Sequence, residues 1–315
     1  MNKVPCKFLE TTLPPKKAFA IDVPPDYPKL HTLSVINGKR GGGKTVCVVN
    51  YLKKLLDEGL MDKVWVVTPT YYSNKDIWKI CYLDEEDCRQ PSVTVLTEIV
   101  TEMEEIKEEW DEYERQMELY REFERYMADP THEVDELKLL KFFENGYVDI
   151  PYVKKPVWKY ERKGEVHPPR FAVVLDDCLS SPVMRKPTAG LVNFAIRHRH
   201  VCDGLGCSLF MLVQTYCARG GIDRAIRENT THLYLFRIAD MNQIKRIHEE
   251  CDLPIQFEEF VGMLQEVHSV PFNFLLIDFN PDTPEQQYRN GWNEYLIPPS
   301  VAAGKPLNLL DEIEK

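Results

Sequence analysis

The chain lacks what a membrane protein, a secreted scaffold or a zinc module would carry. None of its 315 residues lie in a run approaching the roughly 18 consecutive apolar residues of a membrane-spanning helix. The opening Met1-Asn-Lys-Val-Pro-Cys6 has no charged-then-apolar leader pattern. A soluble protein working inside a cell, not integral to a membrane, is therefore expected. The nine cysteines, scattered from Cys6 to Cys251, are odd in number and include no C-x-x-C pair. A reduced compartment without a zinc site follows. Several of them sit inside apolar runs, where a thiol is a small buried side chain.

An excess of positive charge is also missing, which at first argues against nucleic acid as a partner. The net charge is −11, but it is not evenly spread. Residues 98–145 hold 17 Asp/Glu against 6 Lys/Arg, and the rest of the chain carries 33 of each sign. One acidic element is thus attached to an electrically balanced body, and the acidic total says little about that body's partners.

No internal repeat is visible, and the remaining pattern alternates strands with helices. Thr32–Asn37, Lys63–Thr68, Ser92–Leu96, Phe171–Leu175, Ser208–Val213, His232–Phe236 and Phe272–Asp278 read as strands. Thr45–Leu56, residues 187–199, Ile222–Glu228, Met241–Glu250 and Gln256–Glu266 read as helices. The rhythm predicts an α/β fold with a mostly parallel central sheet flanked by helices. Residues 1–30 form a Pro-rich arm, 31–97 and 146–280 the core, and 281–315 an irregular Pro-rich tail. Between the core segments, Ile99, Met103, Ile106, Trp110, Tyr113, Met117 and Tyr120 recur at spacings of 4, 3, 4, 3, 4 and 3. That is an apolar seam on a long charged helix. Asp129-Pro130 should end it and Val134–Phe143 return as a shorter helix, making 98–145 an inserted acidic helical hairpin. Its seam either packs on its own return helix or serves a docking arm.

Chemistry concentrates in Gly38-Lys39-Arg40-Gly41-Gly42-Gly43-Lys44-Thr45, which fits G-x-x-x-x-G-K-[ST] between a strand and a helix. Glycines let the backbone curl so that successive N–H groups face an anion, and the helix start adds its positive dipole end. Lys44 would reach the β- and γ-phosphates of ATP, and the Thr45 hydroxyl would ligate Mg²⁺. Downstream, Phe171-Ala-Val-Val-Leu-Asp176-Asp177 has the form of a Walker B strand. Asp176 is offered to the metal, and Asp177 to the attacking water. The plainer alternative is a pair of acids capping the next helix. Gln214 ends another apolar strand, so it would sit at the sheet edge above the phosphate loop as a sensor of the γ-phosphate or water. Arg197-His198-Arg199-His200 precedes that strand. Either arginine could act on the γ-phosphate of an adjacent subunit, although a basic helix end needs no such role. Arg219, Arg224 and Arg227 are further candidates for that role or for DNA phosphates.

These segments, in this order, resemble the FtsK–HerA superfamily of P-loop ATPases, and more narrowly the poxvirus-type genome-packaging ATPases of large DNA viruses, virophages and Polinton-like elements. The resemblance rests on Gly38–Thr45, Asp176-Asp177, the Arg-His-Arg-His stretch at 197–200, Ser208–Tyr216, Ile226–Phe236 and Phe274–Asp278. It covers roughly 31–280, excluding the acidic insertion. It implies a RecA-like core, with Gln214 as the sensor and Arg197 or Arg199 as the arginine finger. It further implies a homo-oligomeric ring, a pentamer or hexamer, that hydrolyses ATP and pumps double-stranded DNA without regard to sequence. A capsid or membrane vertex protein would be a further partner, and the host cytoplasm or viral factory, and the virion, the expected locations. Thr68–Lys75 is a candidate DNA-facing loop, with Lys75 a candidate phosphate contact. The alternatives are a HerA-like cellular or plasmid DNA-transfer ATPase, or a slow P-loop switch protein. Nothing resembles the attached nuclease of a terminase, and the second acid at Asp177 disfavours a nucleotide kinase.

Overall fold

The computed structural model describes residues 21, 23–129, 135–147, 153–184, 190–216 and 221–302. The strands are β1 (Leu33–Asn37), β2 (Lys63–Val67), β3 (Cys88–Arg89), β4 (Phe171–Asp176), β5 (Cys207–Val213), β6 (His232–Phe236), β7 (Phe274–Asp278), β8 (Tyr288–Asn290) and β9 (Glu294–Tyr295). They form one sheet in the order β3-β2-β4-β5-β1-β6-β7-β8-β9. The pairs from β3 through β6 are parallel, and those from β6 through β9 are antiparallel. The expected α/β architecture with a mostly parallel sheet is the one observed.

The five-residue strands β1 and β6 are buried along their whole length, as a sheet covered on both faces requires. Alternate residues divide between two cores. Leu33, Val35, Val173, Leu209 and Met211 face one layer of helices, α5 (Leu191–Arg197), α6 (Arg224–Glu228), α7 (Met241–Glu250) and α8 (Phe257–Val267). Ile36, Val174, Phe210 and Leu212 face α1 (Lys44–Asp57) and α2 (Tyr71–Trp78) on the other side. The period-2 alternation of a strand supplies both faces from one sequence.

The acidic segment carries two helices, α3 (Val95–Ala128) and α4 (Glu136–Glu144). Their packing differs from a seam closed on its own return helix. Val95, Leu96, Ile99, Met103, Ile106 and Trp110 belong to the main core of the sheet. Trp110 meets Trp158 edge to face at 5.1 Å between ring centroids. Glu102 accepts from the Trp65 indole at 2.7 Å and from Arg89 at 2.9 Å, tying the helix to β2 and β3. Only the far part of α3 packs on α4, where Phe123, Phe142 and Tyr147 form a small separate core.

Three further expectations need correction. Ser92–Leu96 is no strand. The third strand is Cys88–Arg89, and α3 begins at Val95 because 95, 96, 99 and 103 share one helical face against the sheet. Thr68–Lys75 is no loop, since α2 starts at Tyr71. Within the expected mostly parallel sheet, β7 pairs antiparallel with β6. Within the segment after 280, β8 and β9 extend the sheet, and Trp292 between them packs against α1 through Tyr51. Of the Pro-rich arm, residues 1–20 and 22 lie outside the described residues. Val23, Tyr27 and Leu30 pack on the core beneath α1, and the Asp26 carbonyl accepts from Arg289. Cys6, Cys217 and Arg219 also lie outside the described residues. No described helix is long and apolar enough to cross a membrane.

Candidate nucleotide site

The carboxyl ends of β1, β4 and β5 lie side by side, and each delivers one polar segment to a common cavity of about 750 Å³. The first is the glycine loop after β1. Gly38 N–H donates to the Val213 carbonyl at 3.1 Å, fixing where the loop departs from the sheet. A Cβ on Gly38 would stand 2.6 Å from the Cβ of Phe236, so the backbone passes where no side chain fits. Gly42 N–H donates to the Lys39 carbonyl at 3.1 Å, and Gly41 and Gly43 hold φ of 74° and 97°. Only glycine adopts that left-handed region freely. The loop runs straight into α1 at Lys44. The first N–H groups of a helix lack intrahelical acceptors, so the cavity that Arg40–Thr45 line is provided with donors and a positive helix end.

Lys44 curls back, its ammonium donating to the Gly38 carbonyl at 2.7 Å and the Lys39 carbonyl at 3.0 Å. Burial lowers its pKa, and the charges of Asp176 and Asp177 oppose that shift. Asp176 closes β4 with only 5 % of its surface exposed. Burial, then the neighbouring Asp177 charge, pushes its carboxyl up to about 6, against Lys44 and a hydrogen bond from Thr45. A buried carboxylate in contact with the Thr45 hydroxyl fits Mg²⁺, a cation that binds through oxygen donors, retained water and substrate phosphates. Among the described residues no group of three or more His, Cys, Asp or Glu stands close enough to cage a metal.

Asp177, exposed beside it, turns the chain with φ 55°, a conformation aspartate tolerates better than most residues. Its carboxylate accepts from the Gln214 side-chain amide at 2.9 Å. The structure thus brings Gly38–Thr45, Asp176, Asp177 and Gln214 together. Arg197 and Arg199 are not with them. Both are exposed, and the Arg199 carbonyl lies beside Gly206 and His31, at the amino-terminal ends of β5 and β1. Arg197 lines a separate cleft against α3 with Glu104 and Lys107. An entire strand length therefore separates these arginines from their own phosphate loop. Arg224 pairs with Glu228 at 2.8 Å. Arg227 is held by the Ile222 carbonyl and Glu250, which makes it a structural residue. Lys75 is exposed on α2.

The opposite wall of the cavity had no nucleotide signal in the sequence, although Thr70, Ser73 and Asn74 fall in the stretch expected to face DNA. Thr70, Ser73, Asn74 and Ile77 come from α2 and its approach, and Asn50 from α1. Phe272 comes from the turn before β7, Phe274 from β7 and Trp292 from the β8–β9 turn. Trp292 stacks on Tyr51 at 4.7 Å and meets Phe274 edge-on at 5.2 Å. The site therefore has a phosphate end rich in N–H donors and an apolar, aromatic end that suits a nucleobase.

No family model and no curated protein sequence matches the chain. Solved structures do. The pCW3 conjugation coupling protein TcpA, bound to ATPγS, is 16 % identical with a TM-score of 0.41, over 80 % of this chain and 59 % of that one. The chain thus spans less than two thirds of TcpA's length. B204, the DNA-packaging ATPase from Sulfolobus turreted icosahedral virus, is 13 % identical with a TM-score of 0.41, over 82 % of this chain and 96 % of that one. ATPases 2 and 3 of EssC from Geobacillus thermodenitrificans are 13 % identical with a TM-score of 0.39, over 80 % of this chain and 38 % of that one. The likeness is one of fold alone.

Proposed function

We propose that the chain is an ATP-hydrolysing, ring-forming translocase of double-stranded DNA that packages a viral genome into a preformed capsid. One observation carries the nucleotide half: a single cavity gathers the glycine loop, Lys44, a Thr45–Asp176 contact and a Gln214–Asp177 hydrogen bond. The DNA half is supported by the order of sequence motifs from Gly38 to Asp278.

In this reading the loop amides and Lys44 hold the β- and γ-phosphates of ATP. Lys44 leaves the Gly38 and Lys39 carbonyls to do so. Mg²⁺, held through Thr45 and Asp176, would neutralise charge on the phosphate oxygens. Gln214 fixes the Asp177 carboxylate, and the two orient a water in line with the γ-phosphorus. Asp177 takes the water's proton as the new P–O bond forms and the bond to the bridging oxygen breaks, giving ADP and phosphate. The developing charge on the γ-oxygens then lacks a cation beyond Lys44. Arg197 or Arg199 supplies it from a neighbouring subunit, because neither reaches its own site.

Mixing inactive subunits tests the ring and the shared site together. Lys44→Ala chains lack a working phosphate site, and Arg197→Ala/Arg199→Ala chains lack the donated cation. Each alone should be inactive. Mixed, they should regain hydrolysis at interfaces that pair an intact loop with an intact arginine. No recovery from two folded preparations that co-assemble would overturn the shared-site arrangement.

A further inference from the structure

A second cavity, of about 260 Å³, lies behind the phosphate loop and is lined by Asn37, Gly38, Lys39, Gln214, Arg237, Asp240 and Gln243 among others. Gln214 lines both cavities and stands between them. Asn37 is the last residue of β1 and is 1 % exposed, yet among the described residues neither atom of its amide has a hydrogen-bond partner. The buried Gln243 Nε2 also has none among the described residues. An unsatisfied buried polar group costs about 1–3 kcal/mol, so two such amides facing one polar cavity mark a place built for an occupant. The cavity's volume exceeds the share of a single water, about 30 Å³, several-fold.

The lining favours an anion. Arg237 is exposed after the end of β6 and, among the described residues, makes no hydrogen bond or ion pair. Lys39 adds a second cation. The one carboxylate, Asp240, is engaged as the cap of α7 and accepts from the Asn242 N–H at 2.9 Å. The start of that ten-residue helix adds its positive end to the same wall. Amide N–H groups and a guanidinium fork together suit a compact tetrahedral oxyanion.

We propose that this cavity binds inorganic phosphate, as the station through which the hydrolysis product leaves the nucleotide site past Gln214. The identification of the anion as product rests on the hydrolysis reading above. The route leads away from ADP, so phosphate can depart while ADP stays on the loop.

The test is calorimetric titration of the full chain with inorganic phosphate in saturating Mg·ADP, which fills the first cavity. ADP is titrated in parallel in every sample. One phosphate should bind per chain, and Arg237→Ala and Asn37→Leu should each weaken it tenfold or more. ADP affinity in Arg237→Ala should stay within about twofold, a readout that a general structural defect would move. The exposed position of Arg237 makes that variant the one that keeps the fold, and ADP binding checks the folding of Asn37→Leu. Phosphate binding that is absent, or undiminished in both variants, overturns the proposal. If ADP binds and phosphate does not, only this inference fails. If ADP does not bind, the nucleotide reading fails. Phosphate titrated into nucleotide-free wild-type, Lys44→Ala and Arg237→Ala chains then decides this site alone: binding lost with Arg237 and kept without Lys44 supports it, and any other pattern overturns it.

Discussion

Gln214 Nε2 donates to Asp177 Oδ1 at 2.9 Å, joining the carboxyl ends of the neighbouring strands β5 and β4. The two residues are 37 positions apart in the chain, and the parallel pairing of their strands brings them to one edge. The amide cannot accept the carboxylate's charge, but it can fix which oxygen faces a water.

Replacing Gln214 by leucine should therefore lower ATP turnover by about 100-fold, the usual scale for a lost positioning or charge-stabilising donor. ATP affinity should change no more than a few-fold. Phosphate-release kinetics beside equilibrium nucleotide binding separates the two quantities. Equal losses in both would make Gln214 a structural residue.

Asp176 gives a prediction with a sign. Its folded pKa, about 6, lies above the ordinary aspartate value of 3.8, so the folded nucleotide-free chain binds an extra proton between those values. The contribution to stability is then fully present below the unfolded value and is lost as pH rises through about 6. Asp176→Asn should stabilise the nucleotide-free chain by about 1–3 kcal/mol at pH 7.5, and the gain should fade toward pH 4. The same variant should lose Mg²⁺-dependent nucleotide binding. Denaturant titrations at several pH values check the first statement.

Gly38→Ala probes the close approach of the loop to β6. The added methyl would meet the buried Phe236 Cβ at 2.6 Å, and neither backbone can yield without moving the loop. Nucleotide affinity should fall tenfold or more, with a loss of about 1–3 kcal/mol in stability from overpacking. Calorimetric ATP binding and thermal melting read the two effects.

The acidic helix offers a contrast between its two regions. Trp110 is 5 % exposed and packed on Trp158, so Trp110→Ala should cost about 3–5 kcal/mol. Phe143 on α4 is 64 % exposed, and Phe143→Ala should cost less than about 0.5 kcal/mol. Chemical denaturation of both variants decides whether the first half of α3 is part of the sheet's core.

The glycine-loop end of the candidate cavity was legible in the sequence because its pattern is local. A glycine loop needs consecutive residues, and Asp176 and Gln214 each close an uninterrupted apolar strand. The remaining wall was not legible, because Ile77, Phe272 and Trp292 meet only through sheet order and the β8–β9 turn. Periodicity identified α3 but not what it packs against: Ile99 and Trp110 face the sheet, Tyr120 packs on the small core with α4, and one alternating spacing runs through all three. Strand β3, two residues long, is too short for any pattern, and apolar residues 95 and 96 at the start of α3 imitate a strand. Orientation was hidden as well, since β7 looks no different whether it runs parallel or antiparallel to β6.

The central claim is a DNA-driven ATPase built on the Lys44 cavity. Its most direct test is steady-state ATP hydrolysis by the purified chain with and without long double-stranded DNA, beside Lys44→Ala. Several-fold stimulation by DNA regardless of sequence, weakening as salt rises and absent in Lys44→Ala, is the predicted result. Turnover that is slow, indifferent to DNA and unchanged by Lys44→Ala would contradict it.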